Sequence, residues 1–297
     1  MKQNYSLLQN FKQTDFFNEP FPHVIIKNAL PENLYKNLEN SFPNELIKNN
    51  NDDNKRGNIF KEHIEDKEKY KIWYDLLKYN SSNSFFNEFY NIFKESFNFS
   101  NTALMKTVEK YHQKIISNNP SDEIQPDVVY GFNTPAKTPS SVRGVHLDTH
   151  DKLYIGLYYM RGLNDKTKGR DLIIYNWKKN YNLSDKKKIL YTSKFKYLQN
   201  HTEEFKKINY DRNTLFLGLN TINSLHGVSI REQSDSVRQF CYLTSRLRDD
   251  EAIPRSSLFE KLRFDNISIY GKTKIIIYEL VMFIKKIFYK KKIKSRD

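Results

Sequence analysis

The amino-acid sequence predicts an α+β fold in which N-terminal helices buttress a β-sandwich or jelly roll. Before Pro120, apolar side chains recur at helical spacing, whereas after Pro120 short runs of β-branched and aromatic residues alternate with polar turns. Strands at such intervals are typical of sandwiches and jelly rolls. The chain has neither βαβ alternation nor a glycine-rich phosphate loop, which argues against a doubly wound nucleotide-binding sheet.

The N-terminal part is expected to contain an extended strand and three helices. Residues 20–30 form the strand, and Pro31 suits the first position of the helix that follows. Leu34, Leu38 and Phe42 would give this helix a buried stripe. The stripes of the second and third helices are Ile72, Trp73, Leu76 and Leu77, and then Phe85, Phe89, Ile92 and Phe93.

A helix cap, a loop and five strands complete the predicted order of elements. Asn83 or Ser84 is expected to cap the third helix. The almost wholly polar stretch from Lys48 to Arg56 is expected to be a loop, and its role as a lid or as a plain insert stays open. Five strands are predicted after Pro120, at residues 127–133, 152–161, 171–177, 213–219 and 236–247.

Composition excludes several classes of protein. No stretch reaches the roughly eighteen continuous apolar residues of a membrane span, which rules out a polytopic membrane protein. Cys241 is the single cysteine, so an internal disulfide and a cysteine-based zinc or iron–sulfur site are ruled out. The N-terminus has no apolar core or cleavage site of a secretory signal, and a cytoplasmic, reducing compartment is therefore expected.

The net charge of +14 is unevenly distributed along the chain. Half of it lies in the segment from Lys272 to Asp297, and the abundance of Lys, Asn, Ile, Tyr and Phe is typical of AT-rich coding. No aromatic-and-basic recognition motif accompanies the charge, so nucleic acid is not favoured as a partner. The C-terminal segment allows two interpretations. It is either a helix packed on the domain with a solvated tail, which we favour, or a membrane-peripheral helix on anionic lipid.

Three residues form a pattern that is typical of a metal site. His146 and Asp148 are two residues apart, and on a strand such residues project from the same face. His226 follows 80 residues later, in a turn after an apolar strand. Two histidines and one carboxylate on one face of a metal form the facial triad of non-haem Fe(II) oxygenases, which leaves positions open for a chelating co-substrate and O2.

Arg238 opens the last predicted strand, twelve residues after His226. An arginine that faces into a barrel needs an anionic partner, because an unpaired buried charge is costly. A dicarboxylate co-substrate would supply that partner, since the planar guanidinium binds carboxylates through two parallel hydrogen bonds.

From residue 21 to residue 247 the order and context of these residues resemble the 2-oxoglutarate/Fe(II)-dependent dioxygenase superfamily, in its prolyl-hydroxylase-like branch. The resemblance implies a double-stranded β-helix (jelly roll) core, with Fe(II) held by His146, Asp148 and His226. It also implies that 2-oxoglutarate is held by Arg238 and by Tyr158 of the second core strand, with O2 as the other co-substrate. The expected domains are an oxygenase domain over residues 1–250, helical to about 120, and a basic extension with an amphipathic helix over 251–297.

The implied activity is hydroxylation of a peptidyl or free amino-acid side chain, or of a small metabolite, with release of succinate and CO2. The carboxylate at Asp148 favours hydroxylation over halogenation, because related halogenases lack it. An alternative is a non-catalytic module, or a cupin-like metal-binding module that does not use 2-oxoglutarate. The substrate, the oligomeric state and a role for Arg143 or His150 in substrate contact stay open.

Overall fold

The computed structural model describes residues 3–98, 124–182 and 198–247, with gaps at 44, 46, 48–52, 65, 141–142 and 149–151, together with residues 185–186 and 189–190. The chain divides into two compact units, 1–176 with 203–253 and 177–202 with 254–297. Within the second unit, the Tyr181 hydroxyl and His201 Nδ1 lie 3.1 Å apart in a hydrogen bond. The predicted extension 251–297, His150 and most of the predicted loop 48–56 lie outside the described residues.

The three predicted helices are present in the first unit: α1 (Glu32–Asn40), α2 (Lys71–Asn80) and α3 (Asn83–Phe93). Pro31 is the N-cap of α1 and not its first residue as predicted, since the helix begins at Glu32. The N-cap of α3 is Ser82, not the predicted Asn83 or Ser84, because the Ser82 hydroxyl accepts a hydrogen bond from the Phe85 amide at 3.4 Å. No helix among the described residues has the length and apolar character needed to cross a membrane.

The strands, numbered in chain order, are β1 (Phe16–Phe17), β2 (His23–Lys27), β3 (Arg56–Ile59), β4 (Ile124–Asn133), β5 (Lys152–Met160), β6 (Leu172–Trp177), β7 (Thr202–Ile208), β8 (Arg212–Leu219), β9 (His226–Val228) and β10 (Arg238–Leu247). Seven of them form one sheet in the order β1-β2-β8-β5-β10-β4-β3, and its pairs are antiparallel. The other three form a small sheet in the order β7-β6-β9. The five strands predicted after Pro120 are thus present as β4, β5, β6, β8 and β10.

The two faces of the large sheet pack against different partners. On β5, Tyr154 and Tyr158 belong to the core that also contains the helices, whereas Ile155 and Tyr159 belong to a second core shared with Leu172 of the small sheet. Alternate residues of a strand point to opposite faces, which explains this division. The result is a mixed α/β structure with large antiparallel sheets, consistent with a β-sandwich that has helices on its outer face.

Candidate metal centre and anion site

His146, Asp148 and His226 converge into one buried group. One potential ligand atom of each residue lies within 4.8 Å of those of the other two. Among the described residues, this is the group of three whose spacing would allow it to hold a metal ion. The backbones of the two histidines are paired, because His146 N donates to His226 O at 2.9 Å and His226 N donates to His146 O at 3.0 Å. Their rings lie 4.3 Å apart between centroids. β9 supplies His226, whereas His146 lies in the segment before β5.

Backbone carbonyls fix the orientation of both imidazoles. His146 Nδ1 lies 2.8 Å from Gly144 O, and His226 Nδ1 lies 2.9 Å from Ser224 O. Because a carbonyl oxygen only accepts, each Nδ1 carries a proton, and in the neutral ring Nε2 is then the nitrogen that presents its lone pair. A backbone carbonyl on the second ring nitrogen is the usual arrangement behind a metal-ligating histidine.

The carboxylate of Asp148 is held on one side by the large sheet. Its Oδ2 accepts hydrogen bonds from Tyr242 Oη at 2.7 Å and from Lys152 Nζ at 2.9 Å. Its Oδ1 lies 3.6 Å from His146 Nε2 and 3.2 Å from Arg143 Nη1. The contacts to Oδ2 leave Oδ1 directed towards the histidines.

The electrostatics of the group keep it ready to bind a cation. Burial opposes ionisation of Asp148, but the positive charge of Lys152 and the hydrogen bond from Tyr242 favour the ionised form and hold the pKa of that carboxyl well below its usual range. Burial lowers the pKa of His226 to about 3, with His146 acting in the same direction. At neutral pH the donors are therefore an ionised carboxylate and a neutral imidazole, the protonation states that a metal ligand requires.

This donor set fits a divalent transition metal. Imidazole nitrogens suit iron, zinc and copper, and two of them with one carboxylate on one side of the site match the facial geometry of non-haem iron. The Nε2 atoms are pre-oriented, and Asp148 is anchored through its other oxygen. The group could therefore hold a metal.

Arg238 lies at the start of β10, on the same face of the strand as Tyr242. Its guanidinium donates to Asn133 Oδ1 and to Arg170 O, both at 3.3 Å, and lies 4.6 to 5.1 Å from the ring centroids of Phe240, Tyr210 and Tyr159. The residue is 3% exposed, and its Nε is buried without a hydrogen bond. Within the described part of the chain no carboxylate pairs with Arg238, so the site fits an anionic ligand.

Tyr158 does not join Arg238. Its hydroxyl donates to Asn213 Oδ1 at 2.8 Å, and its ring packs against Tyr35 in the core that contains the helices. Tyr159, the next residue, is the one that faces Arg238, and its buried hydroxyl makes no hydrogen bond. Burial raises the pKa of Tyr159 to about 12, so the phenol is a neutral donor at physiological pH.

Two more buried arginines surround this position. Arg170 and Arg231 both donate to Asn54 Oδ1, and Arg231 also donates to Thr134 O at 2.8 Å. Burial lowers the pKa of Arg170 to about 9, and the charges of Arg238 and Arg231 act in the same direction. These neighbours make the surroundings of Arg238 strongly positive, which favours an anion there.

Several residues that build the site were not predicted. Lys152 and Tyr242 hold Asp148, Tyr159 faces Arg238, and Arg56 lies over the rings of Phe240 and Tyr242. Period-two alternation along β10 could have found Tyr242, since it follows Arg238 by four residues on one face. Nothing in the sequence indicates Arg56, because β3 follows a polar stretch and is only four residues long.

The comparisons with known proteins give distant structural similarity. No family model matches the sequence, and no curated protein matches it. A solved bsmA homologue from Methylobium petroleophilum has a TM-score of 0.27 and 10% identity, over 41% of each chain, so the chain spans less than half the length of that protein.

Two solved oxygenases are covered more fully. A prolyl hydroxylase from Trichoplax adhaerens, in complex with a hypoxia inducible factor peptide, has a TM-score of 0.37 and 12% identity, over 79% of this chain and 87% of its own. The 2-oxoglutarate complex of dioxygenase for auxin oxidation 1 from Arabidopsis thaliana has a TM-score of 0.40 and 11% identity, over 76% and 82%. Similarity at this level does not define the chemistry of the site, which depends on the residues described above.

Proposed function

We propose that this chain is a non-haem Fe(II)- and 2-oxoglutarate-dependent oxygenase. The substrate class is an amino-acid side chain, free or within a peptide, or a small metabolite. The observation that carries the proposal is the pairing of two sites on one face of β10. The buried His146–Asp148–His226 group contacts Tyr242 through the Asp148 carboxylate. Arg238, which is buried without an acidic partner among the described residues, precedes Tyr242 by four residues on the same strand.

We also propose an arrangement of the strands in the core. The two facing sheets, with His226 on the small sheet and Arg238 on the large one, support a double-stranded β-helix for the core of an oxygenase domain over residues 1–250. The metal ligands then lie at one end of the space between the sheets. The buried arginine lies further along the same strand that carries Tyr242.

Each residue has a defined task in this proposal. His146 and His226 would bind iron through Nε2 and Asp148 through Oδ1, while Tyr242 and Lys152 hold the other carboxylate oxygen in place. When bound, Fe(II) and 2-oxoglutarate would supply the oxidising chemistry with O2, with succinate and CO2 as by-products.

The far carboxylate of 2-oxoglutarate is assigned to Arg238 and Tyr159, in place of Tyr158. Arg238 offers charge and an unused Nε, and the neighbouring Tyr159 offers a hydroxyl that makes no hydrogen bond. Both groups are donors, which matches the acceptor-only character of a carboxylate. The three aromatic rings around the guanidinium exclude water and strengthen this interaction.

An anaerobic titration tests the proposal. Purified full-length protein is loaded with Fe(II), and 2-oxoglutarate is added while the visible spectrum is recorded. Chelation of the keto acid to iron should give a weak metal-to-ligand charge-transfer band, and the 2-oxoglutarate concentration at half-saturation should rise at least about tenfold in Arg238→Gln, which loses a charge-assisted contact.

Two outcomes would contradict it. If Fe(II) binds and no band forms, 2-oxoglutarate is not the co-substrate, and the site is that of a cupin-like or non-catalytic metal-binding module. If Fe(II) does not bind at all, the metal assignment fails. Arg212→Gln is a matched control, because Arg212 pairs with Glu32 and Glu39 away from the site and its loss should leave the titration unchanged.

A further inference from the structure

Arg56 is aligned with Arg238 across three neighbouring strands of the large sheet. In the sheet register, Arg56 of β3 is opposite Asn133 of β4, and Asn133 is opposite Arg238 of β10. Residues in register on neighbouring strands project from the same face. Arg56 therefore stands on the face of the large sheet that carries both Arg238 and Tyr242.

The Arg56 side chain lies over the aromatic residues of β10 that connect Arg238 with the candidate metal centre. Its guanidinium carbon lies 5.4 Å from the ring centroid of Phe240 and 5.2 Å from that of Tyr242. Its Nε donates to Asn58 Oδ1 at 3.3 Å, which sets the orientation of the guanidinium plane. Gly131, opposite Phe240 on β4, leaves room for the Phe240 ring that lies beneath Arg56, since a Cβ there would lie 2.5 Å from that ring.

Arg56 has no ion pair within the part of the chain that the structure describes, and unlike Arg238 the residue is solvent-exposed. Burial of part of the side chain lowers its pKa, and the nearby charges of Arg238 and Arg143 act in the same direction. An arginine stacked on aromatic rings, with its outer edge accessible, presents its remaining donors to a ligand.

The charge balance points to the kind of ligand. Four positive side chains face this region: Arg56, Arg143, Lys152 and Arg238. Among the described residues the carboxylate that forms ion pairs with them is Asp148, which contacts Arg143 and Lys152. A divalent metal adds two positive charges and 2-oxoglutarate removes two, so cofactor and co-substrate leave the excess of positive charge unchanged. A substrate with a negative group would neutralise part of it.

We propose that Arg56 binds an anionic group of the substrate, a carboxylate or a phosphate, and that the substrate is therefore an acidic compound. This inference rests on the proposed oxygenase function. Arg56 lies beside Tyr242, the residue that holds Asp148, so a group bound to it places the rest of a small substrate next to the metal ligands. The guanidinium would engage carboxylate or phosphate oxygens through two parallel hydrogen bonds.

Isothermal titration calorimetry on the full chain tests this assignment. The protein is loaded with Zn(II) and saturating 2-oxoglutarate, so that Asp148 and Arg238 are occupied, and acetate and methyl phosphate are titrated separately. Wild type should bind at least one of these anions. Arg56→Gln should weaken that binding about tenfold or more, and Arg56→Lys should lie between the two, because lysine keeps the charge without the fork. The stronger of the two probes identifies the substrate group as a carboxylate or a phosphate.

Lys27→Gln is the control, since it removes one positive charge from an exposed position on β2. Equal anion affinity in wild type and Arg56→Gln, or no binding of either anion to wild type, would overturn the assignment. Failure of the oxygenase proposal is a separate result, namely no binding of metal or 2-oxoglutarate. In that case the same titrations on the metal-free chain still compare wild type with Arg56→Gln.

Discussion

His146 and His226 exchange a reciprocal pair of backbone hydrogen bonds, of 2.9 and 3.0 Å, although 80 residues separate them in sequence. This pairing fixes the distance between the two imidazoles before any metal binds. The rings are then oriented by carbonyls of their own segments, Gly144 and Ser224. The candidate metal site is therefore organised by the backbone. Substitution of a single side chain should change its affinity for a metal without separating the remaining ligands.

Removal of the Asp148 carboxylate should strongly weaken metal binding at the candidate site. Asp148→Ala deletes one of three ligands and leaves Lys152 and Arg143 as unopposed positive charges beside the histidines. We expect Fe(II) affinity and hydroxylation both to fall by at least about 100-fold. Metal content after dialysis and succinate production measure the two effects. Asp211→Ala, in the turn before β8, should behave as wild type, and retained turnover in Asp148→Ala would refute the ligand assignment.

The hydroxyl of Tyr242 should contribute to metal affinity without touching the metal. Tyr242→Phe keeps the ring beneath Arg56 but removes the 2.7 Å hydrogen bond to Asp148 Oδ2. Loss of a hydrogen bond that positions a metal ligand typically weakens affinity by about 10- to 100-fold. Competition with a coloured chelator gives the affinity. Tyr74→Phe on α2 is the control, and an unchanged affinity in Tyr242→Phe would mean that Lys152 alone positions the carboxylate.

Tyr159 and Tyr158 should differ in their effect on 2-oxoglutarate. Tyr159→Phe removes a hydroxyl beside Arg238, so the half-saturation concentration should rise about tenfold or more, the cost of one hydrogen bond to a charged acceptor. Tyr158→Phe should leave that concentration unchanged and lower thermal stability, because its hydroxyl bonds Asn213 within the helix-side core. The visible titration and a melting curve of each variant separate the two effects. The reverse pattern would restore Tyr158 to the anion site.

Buried His23 should make the protein sensitive to acid. Burial lowers its pKa from 6.5 to about 4 in the folded state. Between these values the unfolded state binds one more proton than the folded state. Stability is therefore complete above pH 6.5 and declines as the pH falls towards 4, by up to roughly 3 kcal/mol.

Urea denaturation at pH 7 and pH 5 measures this decline. In His23→Phe the difference between the two pH values should shrink by about 2 kcal/mol, since the aromatic packing on Phe21 and Phe216 is kept while the titrating group is lost. Exposed His63 serves as the comparison, and His63→Gln should retain the full difference. An equal difference in wild type and His23→Phe would show that His23 titrates alike in both states.

A methyl group at position 131 should damage the sheet face that carries the site. In Gly131→Ala the new Cβ would lie 2.5 Å from the Phe240 ring, which is buried beneath Arg56 and Arg238. Overpacking of this kind costs about 1–3 kcal/mol. Gly162→Ala meets no atom within 4 Å and should be neutral. Chemical denaturation compares the two, and equal stability would mean that Phe240 moves freely.

Much of the fold could be predicted because its elements have clear periodicity. Leu34 and Leu38 mark α1, and the apolar runs after Pro120 mark β4, β5, β6, β8 and β10. β7 was missed, since its sequence TEEFKKI is too polar for a strand pattern. β3 and β9 are short, and only pairing with β4 and β6 makes them strands. Such strands depend on tertiary context that local sequence does not contain.

The site was predictable where spacing carries the chemistry. His146 and Asp148 are two residues apart, His226 follows an apolar strand and Arg238 opens one, so their residue types suffice to bring them into consideration. Whether Tyr158 or Tyr159 points towards Arg238 depends on which face of β5 each residue occupies. A run of adjacent buried residues does not reveal this. Lys152, Tyr242 and Arg56 act through contacts between strands that are distant in sequence, which no single segment shows.

The strand order has a consequence for biosynthesis. β2 pairs with β8, in a register that joins residues 24 and 217, and the interior strand β10 is the last of the described strands to be synthesised. Until it emerges from the ribosome, β4 and β5 lack the neighbour that joins them, and the apolar faces of α2 and α3 have no finished sheet to cover. Between the end of β5 at residue 160 and the end of β10 at residue 247 the ribosome adds 87 residues, which takes roughly 4–17 s at usual elongation rates. We expect the large sheet to form only after β10 has left the ribosome, and chain fragments that end before residue 238 to aggregate or to occupy chaperones.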